Sequence, residues 1–190
     1  MTISIVGLFA RRLGLETLKG ILEDNVFEIK LVFTHYYETD MKTIRPLFPQ
    51  YVKICEENSI PLIIIHKNQR ILKILKNINF DFLVSNCYKY KIPQEYLDLP
   101  NIMSLNMHRS LLPKYKGLKP LKKALENKEK VTGTTIHIMT SSVDCGEIID
   151  QYPVKIDPGD TEQDLFKKLY PTQYPLLKKA IFRIVEKYEK

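Results

Sequence analysis

The stretch ISIVGLFARRLGLETLKGILED, residues 3–24, joins two periodicities. Residues 3–9 form a nearly unbroken apolar run of strand length, and Leu15, Leu18, Ile21 and Leu22 then recur at helical spacing. A strand whose apolar residues are consecutive rather than alternating is covered on both faces, as in a parallel sheet wrapped by helices. The alternation continues outward with FEIKLVFT (27–34) as strand, FPQYVKICEEN (48–58) as helix, IPLIII (60–65) as strand and NQRILKILKNI (68–78) as helix. FDFLVSN (80–86) and IMSLNM (102–107) supply two more strands. This order predicts an α/β fold, doubly wound, with a mostly parallel sheet and helices on both faces.

Further along, PLKKALENK (120–128) places Leu121, Ala124 and Leu125 on one side of a helix. GTTIHIM (133–139) and GEIIDQYPVKI (146–156) read as strands flanking TSSVDCG (140–146). Residues 161–190 form a helical tail interrupted near Pro171 and Pro175, with Thr161 and Asp164 spaced as a capping box at its start. No compositional break divides the 190 residues, so one domain, 1–190, is expected.

At 44% hydrophobic and 27% charged residues, the composition is that of a soluble globular protein. No apolar run reaches the length of a membrane helix, and MTISIVGLFARR (1–12) places its basic residues after its apolar run, the reverse of a signal peptide. A cytoplasmic location without a membrane partner is therefore expected. Cys55, Cys87 and Cys145 are odd in number and widely spaced, which predicts reduced thiols rather than a disulfide framework or a metal site. A formal charge of +7 suits phosphate-bearing small ligands as well as it suits nucleic acid. No aromatic-rich RNA-stacking motif or long basic tail accompanies it, so nucleic acid is not the expected partner. A homodimer built on the helical tail or on an exposed sheet edge is compatible with the pattern.

The chemistry concentrates in MSLNMHRSLLPKYKG, residues 103–117. Asn106 and His108 lie two apart where a buried strand opens into a loop, so both side chains share one face. Open parallel sheets bind ligands beyond the carboxyl ends of their strands, and Asp144 lies in the loop that closes a later strand. An amide, an imidazole and a carboxylate in one crevice support attack of an amine on a carbonyl carbon. Asn106 and a protonated His108 would stabilise the oxyanion, while Asp144 orients the imidazole and relays the amine's proton. Taken singly, each residue also has a bland reading: a strand-end Asn or His is commonly a turn-maker, and Asp144 could make an Asx turn before Gly146. Cys145 could suggest a thiol nucleophile, but its carboxylate neighbour raises the thiol pKa, and a small filler is the favoured reading.

Order and spacing add a family resemblance. SLNMHRSLLPKYKGLKPLKKAL (104–125) and TGTTIHIMTSSVDCGEIIDQ (132–151) resemble the folate-dependent formyltransferase family. That family's signature runs Asn-x-His, Ser-Leu-Leu-Pro-x-Tyr-x-Gly, Gly-x-Thr-x-His and Asp-x-Gly. Here these are Asn106 and His108, then residues 110–117, then Gly133, Thr135 and His137, then Asp144 and Gly146. The resemblance is specific over residues 81–152 and looser elsewhere. It implies the formyltransferase core, 10-formyltetrahydrofolate as donor with no metal, and Asn106, His108 and Asp144 as the catalytic trio. It also implies folate contacts from Tyr88, Lys89 and Tyr90 in one loop and from Ser141, Ser142 and Val143 in another. His137 matches a family position near the site, whereas alternation along its strand equally allows a structural histidine, the reading favoured here.

The acceptor amine is less directly marked. Family members acting on glycinamide ribonucleotide carry a Gly-Asn-Gly-Ser-Asn-like turn after the first strand, where this chain has GLFARRLG (7–14). Phe9, Arg11 and Arg12 stand in that turn, and two guanidiniums at a helix start can grip a phosphate by another route. Members acting on methionyl-tRNA add a C-terminal RNA-binding domain for which no length is expected after DQYPVKI (150–156). LVFTHYYETD (31–40) resembles members that formylate amino sugars on nucleotide carriers. The expected function is formyl transfer to a small phosphorylated amine, foremost a nucleotide-linked amino sugar. The alternatives are a glycinamide ribonucleotide formyltransferase, a 10-formyltetrahydrofolate hydrolase, and a non-catalytic folate- or nucleotide-binding module.

Overall fold

A computed structural model describes residues 2–35, 47–65 and 69–188. Its first apolar run is β1 (Ile3–Phe9), buried at every position but Ser4, and α1 (Arg11–Leu22) turns Leu13, Leu15, Leu18 and Ile21 inward. Then come β2 (Phe27–His35), α2 (Leu47–Glu57), which buries Tyr51 and Cys55, and β3 (Leu62–Ile65). A 3₁₀ stretch over Gln69–Asn77 stands where an α-helix is expected. Its three-residue repeat aligns Leu72 with Leu75, and both are buried. The fully buried β4 (Phe82–Asn86) follows, then a short α3 (Gln94–Leu97) that the periodicity does not announce.

β4 starts two residues later than the apolar run suggests, because Asp81 turns away to accept from Ser4 N, Ser4 Oγ and Asn101 Nδ2 at 2.8, 2.7 and 3.0 Å. These strands belong to the first of two compact units, Met1–Ser104, where they lie in the order β3-β2-β1-β4 with every pairing parallel. β2 runs one residue past Thr34, through His35, and the polar loop expected to follow lies outside the described residues.

The second unit, Leu105–Lys190, is antiparallel. The strand β5 (Met103–His108) leads through a loop and α4 (Pro120–Glu126) to β6 (Val131–Ile138), which pairs antiparallel with β5 on one side and with β7 (Ile148–Lys155) on the other. The tail forms α5 (Glu162–Leu169), a 3₁₀ turn over Tyr170–Thr172 and α6 (Gln173–Tyr188). Both legs of the Thr161–Asp164 capping box are present. The helical break holds Pro171, while Pro175 continues into α6, where a first-turn residue needs no N–H donor. Gln173 is buried and donates to Thr134 Oγ1 at 2.9 Å, tying α6 to β6. Among the described residues no helix is long and apolar enough to cross a membrane, and the three cysteines are free.

Gly133 shows how closely β6 and β7 approach, since a Cβ built there would stand 2.2 Å from the Tyr152 carbonyl and 2.7 Å from the Leu111 side chain. Gly133→Ala is therefore expected to destabilise the protein by about 1–3 kcal/mol, as overpacking of a tight interior does. Urea unfolding of both proteins checks it, and an unchanged midpoint would contradict the close approach.

Candidate active site

Asn106 and His108 stand on β5 as expected, facing the same way, and the loop after β6 brings Asp144 to both of them. His108 Nδ1 lies 3.2 Å from Asp144 Oδ2, and Asn106 Nδ2 lies 3.4 Å from Asp144 Oδ1. His108 and Asp144 are buried, while Asn106 keeps part of its surface in solvent. The backbone N–H of Gly117 donates to Asp144 Oδ2 at 2.8 Å. All three groups lie in the second unit.

Local backbone chemistry makes this convergence. Asp144 has φ 51°, a left-handed conformation that Asp tolerates better than most residues and that collects at functional turns. Two residues on, a Cβ at Gly146 would stand 1.8 Å from the Ile138 carbonyl, so only glycine lets the loop fold back against the end of β6. The loop after β5 is anchored by Thr135, whose Oγ1 donates to Ser110 O at 2.6 Å and accepts from Leu112 N at 3.0 Å and Gln151 Nε2 at 2.8 Å. One donor and two lone pairs are thereby used in full. Farther round the loop, Tyr115 OH and Lys114 Nζ both donate to Glu129 at 2.7 and 2.8 Å. The residues of the Ser-Leu-Leu-Pro-x-Tyr-x-Gly run thus act largely through a held backbone, which delivers the Tyr115 carbonyl and the Gly117 N–H.

The Tyr115 carbonyl lies 2.9 Å from His108 Nε2. A carbonyl only accepts, so Nε2 keeps a hydrogen and Nδ1, opposite Asp144, is where protonation changes. Burial holds the His108 pKa below its ordinary value, against the opposing pull of the Asp144 carboxylate and the Tyr115 carbonyl. Burial also works to raise the Asp144 carboxyl, but its contacts with His137, His108 and Gly117 outweigh burial and keep it below the usual range. Burial thus opposes the protonated His108 expected as a partner of the oxyanion.

A fourth side chain completes the cluster. His137 is 2% exposed and lies opposite Asn106 in the β5–β6 register, its Nε2 3.0 Å from Asn106 Nδ2 and 3.3 Å from Asp144 Oδ1. The strand-histidine reading is thus incomplete, because cross-strand register rather than alternation decides what a residue touches. Ser141, Ser142 and Val143 line the exposed approach to Asp144, with Thr140 Oγ1 donating to Ser142 O at 3.0 Å. Lys116 Nζ lies 3.2 Å from the exposed Cys145 thiol.

In the first unit, Tyr88 and Tyr90 follow β4 and pack edge-on with each other and with His35, ring centroids 5.5–5.7 Å apart. Lys89 Nζ lies 5.0 Å from the Tyr90 ring centroid. His35, which the sequence reading passes over, is pushed down to about 4, first by burial and then by the charges of Lys89 and Arg11. Two groups of residues expected to bind different ligands, Arg11 and Tyr88 to Tyr90, therefore surround one neutral imidazole at the carboxyl ends of β2 and β4. Arg12 pairs with Glu16 at 2.6 Å along α1. Phe9 is a core residue, fully buried with its ring against Gly7, because the last residue of a doubly covered strand points into the packing and not toward a ligand.

Residues 31–181 match the model of the family described as formyl transferase. The chain is 37% identical over 156 residues to the bifunctional polymyxin resistance protein ArnA of Wigglesworthia glossinidia brevipalpis, covering 80% of this chain and 23% of that protein. It is 31% identical over 182 residues to the methionyl-tRNA formyltransferase of Mycoplasma mycoides subsp. mycoides SC, covering 96% of this chain and 57% of that protein. The chain thus spans well under two thirds of the length of these two relatives. The crystal structure of phosphoribosylglycinamide formyltransferase from Anaplasma phagocytophilum is similar with a TM-score of 0.79 at 21% identity, over 98% of this chain and 89% of that one. That likeness is one of fold, and it bears out the doubly wound, mostly parallel α/β architecture expected from the apolar runs. By the match over residues 31–181 and the relatives aligned along it, the chain belongs to the formyl transferase family.

Proposed function

We propose that the chain, acting as a single catalytic domain in the cytoplasm, transfers the formyl group of 10-formyltetrahydrofolate to the primary amine of a small phosphorylated acceptor, foremost a nucleotide-linked amino sugar. The observation that carries this reading is the gathering of Asn106, His108 and Asp144 within hydrogen-bond reach in a family whose name is the reaction. The amine attacks the formyl carbon, a C–N bond forms, and negative charge develops on the formyl oxygen. An N–H of Asn106 stabilises that charge. The proton released by the amine passes to the His108 Nδ1–Asp144 Oδ2 pair, which returns it to the folate nitrogen as its bond to carbon breaks.

The donor is assigned to Tyr88, Lys89 and Tyr90 and to the loop of Ser141, Ser142 and Val143. The exposed Arg11, with Arg12 beside it, is assigned to the acceptor's phosphate, while Phe9 serves only as packing beneath that turn. A second reading, transfer to methionyl-tRNA, is favoured by the similarity that covers 96% of the chain. Both acceptors offer an amine near phosphates and suit a net charge of +7.

Tetrahydrofolate release from 10-formyltetrahydrofolate separates these readings. Release that depends on nucleotide-linked amino sugars is the expected result, and dependence on methionyl-tRNA or on glycinamide ribonucleotide reassigns the acceptor. Release without any amine would identify a hydrolase, and binding without release a non-catalytic module.

Asn106→Ala, His108→Ala and Asp144→Ala should each lower turnover by ~10²-fold or more while circular dichroism stays native. A native-like Asp144→Ala variant with full activity would remove the proton relay.

The pH profile carries a sign. A proton acceptor must be deprotonated, so kcat/KM should rise from acid pH and level off, with an apparent pKa of the pair below the ordinary histidine value. Asp144 raises the His108 pKa, so Asp144→Asn should move the acid limb to lower pH besides slowing the reaction. Activity that instead falls as pH rises through that range would make the imidazolium the active form.

A further inference from the structure

We propose that Gln151 is a positioning residue of the formyl-transfer site: from β7 its side-chain amide fixes the loop after β5, which aims the Tyr115 carbonyl at His108 and the Gly117 N–H at Asp144. The inference rests on the reading of His108 and Asp144 as the pair that relays the amine's proton, and it concerns how that pair is aimed.

Strand register puts Gln151 in line with the site. His108 lies opposite Thr135 in the β5–β6 ladder, and Thr135 lies opposite Gln151 in the β6–β7 ladder. Residues paired across adjacent strands share one face of a sheet, so the three side chains form a row. Gln151 Nε2 lies 2.9 Å from the Leu112 carbonyl and 2.8 Å from Thr135 Oγ1. A carbonyl only accepts, so the amide presents its nitrogen there, and its two hydrogens serve Leu112 O and Thr135 Oγ1. With Gln151 Nε2 and Leu112 N on its two lone pairs, the Thr135 hydroxyl is left pointing its hydrogen at Ser110 O. One amide thus sets the Leu112 carbonyl directly, and the Leu112 N–H and Ser110 carbonyl through Thr135.

Ser110, Leu112 and Thr135 are buried. A buried carbonyl that loses its donor carries the desolvation cost in full, and the loop relieves that cost by moving. Such a movement reaches the site because the loop is short and closed on itself. Ser110 Oγ donates to Lys114 O at 2.6 Å and Lys114 N to Leu111 O at 3.2 Å, so residues 110–114 move together. Tyr115, the next residue, supplies the carbonyl 2.9 Å from His108 Nε2, and Gly117 the N–H 2.8 Å from Asp144 Oδ2. A shift at Leu112 therefore misplaces both at once.

Gln151 itself works from a fixed base. Its backbone N–H donates to Asp150 Oδ1 at 2.9 Å, and Asp150 Oδ2 is ion-paired with Lys179 and Arg183 of α6 at 3.0 and 3.2 Å.

Gln151→Met keeps the length of the side chain and removes both donors. Its kcat, with whichever acceptor supports tetrahydrofolate release by the wild type, should fall about 10- to 100-fold, up to what a misplacement of about 1 Å costs, while KM for 10-formyltetrahydrofolate changes less than about threefold. Gln151→Lys, whose ammonium can donate to the same two acceptors, should recover most of that loss. In ¹⁵N–¹H spectra without any ligand, the His108 Nε2 hydrogen should give a slowly exchanging signal in the wild type that is lost in Gln151→Met. Wild-type kcat in a folded Gln151→Met protein, persistence of that signal, or no rescue by Gln151→Lys would each overturn the proposal. Should Gln151→Met fail to fold, the wild type decides: both side-chain hydrogens of Gln151 should exchange slowly with solvent, and fast exchange of either overturns it. Absence of formyl transfer by the wild type would defeat the assigned function instead, and the spectra would still report on the loop.

Discussion

A buried carboxylate is tolerable only when donors surround it, and Asp144 is the group on which this site is built. It sits 8% exposed in a left-handed turn, with the Gly117 N–H donating to one oxygen, the Asn106 amide to the other, and the rings of His108 and His137 within 3.2 and 3.3 Å. A lone charge in that position would carry several kcal/mol of desolvation penalty. With these neighbours the charge is held and in turn holds them. Gly146 permits the turn, the Thr135 hydroxyl pins the loop that delivers Gly117, and the antiparallel ladder sets Asn106 beside His137. Each is a backbone or packing device whose product is the placement of one carboxylate.

The electrostatics favour exchange of protons over storage. Burial lowers the His108 pKa, while the contacts around Asp144 lower its pKa as well, so neither group claims a proton firmly. In the proposed reaction this pair takes the proton of the attacking amine and passes it to the folate nitrogen. In the first unit, His35 is kept neutral among Tyr88, Tyr90, Lys89 and Arg11. Its surroundings combine aromatic faces with cations, as an anionic ligand with a planar ring would require.

Much of this was legible in the primary structure, and the remainder was hidden for identifiable reasons. Consecutive apolar residues in ISIVGLF and FLVSN announce strands covered on both faces, and those strands prove parallel. The spacing from Asn106 through Gly146 marks the family because each position answers a need, among them a shared face, a tight strand approach at Gly133 and a close loop return at Gly146. His137 was harder to read because its role comes from the residue opposite, and a strand does not state its partner's register. Phe9 looked available because it stands beside a turn, yet doubly covered strands bury even their last residue. The 3₁₀ stretch escaped because Leu72 and Leu75 fit a helix of either pitch. His35 escaped because a histidine ending a strand has no pattern of its own.

One feature of the organisation reaches beyond this molecule. Asn106, His108, His137 and Asp144, with the backbone groups that hold them, all fall within Leu105–Lys190, whereas the cation–aromatic grouping around His35 falls within Met1–Ser104. On the proposed reading, the bond-making groups fall in the second unit and the acceptor-binding Arg11 and Arg12 in the first, while the donor's contacts are divided between the two. In such an arrangement, mutational drift in one half can retarget an ancestral catalyst to a new amine while the machinery that breaks and makes the bond is inherited intact.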